Sequence, residues 1–97
     1  MRVAWRRRAQ LDIENIYEYI EQRNPRAAAD VIARIRYAGE RLGTWLYMGH
    51  IGRARGTHEW VVVGLPYVIV YEIDESAQEV AIIAVFHGAQ DRGREQP

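Results

Sequence analysis

The chain has 97 residues, 13 basic and 13 acidic, with no cysteine; that size predicts one domain, 1–97, with a modest core. Its 48% hydrophobic content and zero formal net charge exclude wholesale disorder and any overall field drawing it to nucleic acid. Without cysteine there is no disulfide framework, thiolate nucleophile or cysteine–zinc site.

Arg2 to Trp5 reads as an opening strand, with Val3 and Trp5 alternating against Arg2 and Ala4. Arg6, Arg7 and Arg8 follow. No apolar run comes after them, so neither a signal peptide nor a membrane span is expected, and the cytoplasm is. Every basic residue is arginine. A GC-rich genome accounts for that bias simply, and any contact with a polyanion must come from local clusters.

From Ala9 to about Arg23 the period becomes helical, with Ala9, Ile13, Ile16, Tyr17 and Ile20 on one stripe. Asn24-Pro25 predicts a new helix start, because Asn caps well and Pro fits the first helical position. That second helix runs to about Leu42, with Ala28, Val31, Ile32, Ile35 and Leu42 inward and Arg26, Asp30, Arg34 and Arg41 outward. So short a link makes the pair an antiparallel helical hairpin.

Gly43 to Gly56 reads as loop and holds Trp45, Tyr47, Met48 and His50. Strands are expected at Thr57 to Val63, Tyr67 to Asp74 and Glu79 to His87, each rich in β-branched and aromatic residues. Gly64-Leu65-Pro66 and Glu75-Ser76-Ala77-Gln78 make the turns. The polar tail from Gln90, and 91–97 above all, is expected to be flexible. The fold class is therefore α+β: an N-terminal helical hairpin packed on a twisted antiparallel sheet of three to four strands.

Three local signatures accompany this order. Asn24-Pro25 leads into Ala27-Ala28-Ala29. Gly52-Arg53-Ala54-Arg55-Gly56-Thr57 precedes His58-Glu59-Trp60-Val61-Val62. Pro66-Tyr67-Val68-Ile69-Val70-Tyr71 is followed by Val85-Phe86-His87-Gly88-Ala89-Gln90. In order and spacing the chain resembles the RelE/ParE toxins of type II toxin–antitoxin systems from roughly Arg2 to Asp91. The resemblance implies a cognate antitoxin protein whose C-terminal segment wraps the toxin. It also implies one of two targets, since RelE-like relatives cut mRNA on the ribosome and ParE-like relatives poison DNA gyrase.

Cutting RNA without a metal needs a base for the 2′-hydroxyl, an acid for the leaving oxygen and positive charge at the phosphorane-like centre. Nucleases of this kind often carry an arginine directly after the aromatic that opens the middle strand. Here Val68 holds that position, and Val61, Val62 and Val63 stand where some relatives have lysines. The ParE-like branch is therefore favoured: a gyrase inhibitor, not an enzyme, with no cofactor. If the nuclease branch holds instead, His87, Glu59 and Arg55 are the catalytic candidates. Imidazole exchanges protons near neutral pH, although without the accompanying arginine a strand-end hydrogen-bonding histidine is the simpler reading of His87.

Arg53, His58, Trp45, Tyr47, Arg6 and Arg7 are the candidate partner-binding residues. The first arginines oppose the dipole of the helix they open, which an acidic partner would offset; a solvated surface run is the simpler reading. The three histidines lie too far apart in sequence for a metal-ligand spacing, so no metal is expected.

Overall fold

The computed structural model describes residues 1–89; the tail expected at 91–97, and Gln90 before it, lie outside them. The elements are β1 (Arg2–Trp5), α1 (Arg7–Glu21), α2 (Pro25–Arg41), β2 (His50–Ile51), β3 (His58–Val61), β4 (Tyr67–Asp74) and β5 (Glu79–His87). The two helices pack against each other, and α1 lies on β5. The α+β class expected from the sequence holds.

The sheet differs from expectation in two respects. It has five strands, in the order β1-β5-β4-β3-β2, where three to four were expected. The added strand is β2, two residues inside the stretch read as loop, pairing His50 with Glu59 and Ile51 with His58. Two residues are too few to carry an alternating pattern. The sheet is also mixed, because β1 joins β5 in parallel, from Arg2 opposite Glu79 to Trp5 opposite Ile82. A parallel pair needs a long crossover connection, and here the intervening helices and the other strands provide it.

Helix α2 starts as predicted. The Asn24 side chain accepts a hydrogen bond from Ala27 N–H at 3.2 Å, with Pro25 next. Helix α1 begins at Arg7 rather than Ala9, and Arg6 at its N-cap makes no capping side-chain bond. Both helices turn an apolar stripe inward: Ala9 and Ile13 from α1, Ala28 and Ile35 from α2, all buried. Tyr17, expected on that stripe, is exposed. The buried residues meet Ile69, Tyr71, Val80 and Ile82 of the sheet, and each fully buried aliphatic side chain contributes about 1.5–3 kcal/mol.

Gly39 marks a close approach of helix and strand in this core. A Cβ there would lie 2.5 Å from Trp5 Cζ2 and 2.9 Å from Ile82 Cδ1. Its absence lets the Trp5 ring lie across α2, where its indole N–H donates to Glu40 at 2.9 Å.

One irregularity joins sheet to helix. Between β4 and β5 the register passes from Val70–Ala84 to Tyr71–Ile82, so Ile83 is an extra residue. Such a bulge releases a ladder amide. Near it, Val85 N–H bonds Asp12 Oδ2 of α1 at 2.9 Å. The bulge also keeps Val80, Ile82 and Val85 on one side, packed into the core.

Candidate functional site

Alternation along the strands divides the sheet into two faces. Tyr67, Ile69, Tyr71, Ile82 and Val85 belong to the core beneath the helices. Their neighbours Val68, Val70 and Phe86 point to the opposite face, as do Glu59 and Val61 across the register. On that opposite face His50, Arg53, Glu59, Val61, Val68 and Phe86 line a hollow of about 200 Å³.

Glu59 organises the hollow. It is buried, at 7% exposure, and one carboxylate oxygen accepts Arg53 N–H at 3.1 Å. The other lies 3.9 Å from His50 Nε2. The loop comes this close because Gly52 has no side chain: a Cβ there would collide with Thr57 Oγ1 and lie 3.2 Å from Glu59 Oε2. Thr57 fastens the turn by donating its hydroxyl to Ala54 O at 2.6 Å. A carboxylate, an imidazole and an arginine backbone thus converge beside a wall of Val61, Val68 and Phe86. Chemically, the set can accept and pass a proton or bind a cationic group.

His87 lies on the other side. Its ring meets Tyr67 edge-on at 5.4 Å and 82°, and Nδ1 accepts Ala89 N–H at 3.0 Å. Tyr67 and His87 line a cleft with Arg8, Asp12, Asn15 and Tyr19 of α1. Burial, with Tyr19 nearby, holds the Tyr67 phenol above its ordinary pKa. The three nuclease candidates therefore do not form one cluster: Glu59 is on the open face, His87 on the helix face, and Arg55 exposed in the loop before Thr57.

The partner-binding candidates also separate. His58 packs under the loop that follows α2, stacked on Tyr71 at 5.4 Å and meeting Tyr47 edge-on at 5.7 Å. Its Nδ1 is buried with no hydrogen-bond partner among the described residues. Trp45 and Tyr47 are 57% and 65% exposed on that loop. Beside them, Arg34, Tyr37, Ala38, Arg41, Met48 and Trp60 line a groove of about 340 Å³ between α2 and the sheet.

At the opposite edge, Arg6 and Arg2 grip Glu79 at 2.8 and 3.0 Å. Their hydrogen bonds, that of Arg6 foremost, hold the Glu79 carboxyl below its usual value. Arg7 is exposed at the first position of α1. Arg8 pairs with Asp12 at 3.3 Å, so part of the N-terminal charge is satisfied within the fold.

Sequence reading placed His50 in a loop and missed it as a site residue, because its approach to Glu59 depends on β2. It also missed Tyr37 as a groove residue. The signal was available: Arg34, Tyr37, Ala38 and Arg41 stand at helical spacing on one stripe of α2. Among the described residues no group of three metal-ligating side chains is found, and no helix is long and apolar enough to cross a membrane.

Residues 3–92 match the family described as ParE toxin of type II toxin-antitoxin system, parDE. The chain belongs to the ParE toxin family. It is 38% identical over 89 residues to "Putative toxin Y4kP" of Sinorhizobium fredii, covering 92% of this chain and 90% of that protein. Among solved structures it is similar to the chromosomal ParDE TA system from P. aeruginosa, with a TM-score of 0.81 and 18% identity over 90% of this chain and 95% of that one. It is similar as well to the toxin–antitoxin complex RelBE2 from Mycobacterium tuberculosis (TM-score 0.61, 25% identity, 92% of each chain). The isolated E. coli RelE toxin shares the fold at 9% identity, with a TM-score of 0.68 over 98% of this chain and 92% of that one. This ParE-family chain is thus a toxin of the type II toxin–antitoxin class.

Proposed function

We propose that this ParE-family toxin arrests growth in the cytoplasm by acting on DNA gyrase, and that a cognate antitoxin holds it inactive. One observation carries the choice of target. The open sheet face is walled by Val61, Val68 and Phe86, and Arg53 is the one arginine lining its hollow among the described residues. Stabilising the phosphorane-like centre of RNA cleavage calls for cationic groups aimed at that centre, and Val68 stands where an arginine would supply one. The antitoxin part of the reading is supported by the ParDE and RelBE2 systems to which the chain is similar. The test is gyrase supercoiling with purified toxin: inhibition at concentrations that stop growth is expected, and untouched supercoiling at those concentrations refutes the reading.

A second reading has its own support. His50, Glu59 and Arg53 converge on the open face, which suits a ribosome-dependent mRNA endonuclease. In that case Glu59 takes the 2′-hydroxyl proton, Arg53 and Arg55 supply charge, and His50 stands in the place of the histidine that the sequence suggested at His87. Glu59→Gln separates the two. Loss of message cleavage together with growth arrest supports the nuclease; arrest led by replication failure, and unchanged in the variant, supports the gyrase poison.

A further inference from the structure

The cleft on the helix face differs from the open-face hollow in both size and chemistry. It measures about 550 Å³, within the range of small-ligand sites. One wall is a stripe of α1 at helical spacing: Arg8, Asp12, Asn15 and Tyr19. Tyr67 and His87, opposite each other on β4 and β5, line the other wall.

Tyr67 is only 7% exposed, yet its hydroxyl has no hydrogen-bond partner among the described residues. Its ring is set edge-on against His87, and burial keeps the phenol protonated. A fixed donor is therefore presented to the cleft. On the facing wall Tyr19 is 58% exposed and offers a flat ring for stacking. Arg23 lies over that ring at 4.0 Å, and a guanidinium beside an aromatic strengthens the hold on a base.

At the other end Arg8 pairs with Asp12 at 3.3 Å, its own side chain 70% exposed. So exposed a pair is weak, and the guanidinium can turn to a phosphate. Asp12 is a mild obstacle to an anion, because its second oxygen already accepts Val85 N–H at 2.9 Å. Asp12 and Tyr19 are seven residues apart, which sets the two guanidinium groups about 10 Å apart along the axis of α1. Between them Asn15 brings an amide that both donates and accepts.

We propose that this cleft takes one unstacked nucleotide of a single-stranded nucleic acid. Its base lies against Tyr19, hydrogen-bonded by Asn15 and the Tyr67 hydroxyl, and its flanking phosphates meet Arg8 and Arg23. The site goes beyond the gyrase reading and does not rest on it, since the toxin alone makes the contact.

Backbone amide shifts of the full chain, titrated with a short oligothymidylate, dTMP and thymidine, test it. The oligomer is expected to shift Asn15, Tyr19 and His87 and to bind tightest, with thymidine weakest and the difference shrinking as salt rises. Tyr19→Ala, at an exposed position, should weaken oligomer binding about tenfold. Tyr67→Phe keeps the buried ring and should weaken it about threefold. Arg8→Gln should bring dTMP down to the level of thymidine.

No shifts at millimolar ligand, shifts confined to Arg53 and Glu59, or unchanged binding by Tyr19→Ala each overturn the proposal. So does dTMP binding as tightly as the oligomer, which would make the ligand a free nucleotide. An oligouridylate that binds as well supports the site and shows that it accepts RNA and DNA alike. If the shifts appear while supercoiling is untouched, the site stands and the gyrase reading falls; the reverse result removes the site alone.

Discussion

Replacing Tyr71 by Phe removes one oxygen and releases a whole loop. Tyr71 is fully buried, and its hydroxyl donates to Leu46 O at 2.8 Å while accepting Gly49 N–H at 3.0 Å. Burial raises the phenol's pKa although the Gly49 amide pulls the other way, so the hydroxyl stays protonated and remains a donor. The aromatic packing is unchanged in the variant, but an amide and a carbonyl lose their partner. Each such loss in a buried site costs about 1–3 kcal/mol. Water reaching the exposed loop recovers part of this, and a net loss of about 2 kcal/mol is expected. For a domain of this size that lowers Tm by roughly 8–16 °C. Urea unfolding measures the loss, and hydrogen exchange at Gly49 locates it. Gly49→Ala should act similarly, because its Cβ would lie 2.6 Å from Glu59 O and 2.8 Å from the Tyr71 hydroxyl. A Tyr71→Phe loss below about 0.5 kcal/mol, with Gly49 still protected, would refute the account of how the Trp45–Tyr47 loop is held.

Gly39→Ala should destabilise by about 1–3 kcal/mol, because Trp5 and Ile82 must move; normal stability with unshifted Trp5 fluorescence would contradict the packing described. Asp12→Ala leaves the Val85 amide without its carboxylate acceptor at 2.9 Å and should lose about 1–3 kcal/mol, while Asp12→Asn, which keeps an acceptor, loses less; urea melts of the pair decide. Glu79 has a folded-state pKa below its unfolded one, so its contribution is complete above the unfolded value and disappears as pH falls through the folded value. Stability against pH should therefore decline less steeply on the acid side in Glu79→Gln than in the wild type, and identical acid limbs would remove the Arg2–Arg6–Glu79 contact from the account.

The elements that could be read from sequence are those whose signal is local and repeated. The strands at Arg2–Trp5, Tyr67–Asp74 and Glu79–His87 match their expected bounds, because each is closed by a turn or a change of period. The start of α2 was legible because Asn24 and Pro25 serve the same boundary for independent reasons. Helix α1 was placed two residues late at both ends: arginines at its start give no capping signal, and the helix stops without a glycine or proline. Strand β2 was invisible. Its two residues are held by a partner strand and by the tight turn at Gly52, neither of which shows in a local window.

The candidate site was less legible because it depends on which side of the sheet each residue occupies. Glu59 and His87 were sensible partners on a list of titratable groups. The extra residue at Ile83 shifts the end of β5 by one position, however, so Val85 and His87 face the helices while Phe86 faces the open hollow. A one-residue change in alternation exchanges the two faces, and no window of β-branched residues announces it. The Val85 amide that Asp12 takes up lies two residues beyond that bulge. Asp12→Ala therefore bears on the site as well as on stability. If the Asp12 contact fixes the bulge, the variant should shift amide resonances of Phe86 and His87 together. If the bulge is set by the strands alone, those resonances will stay in place while the stability still falls.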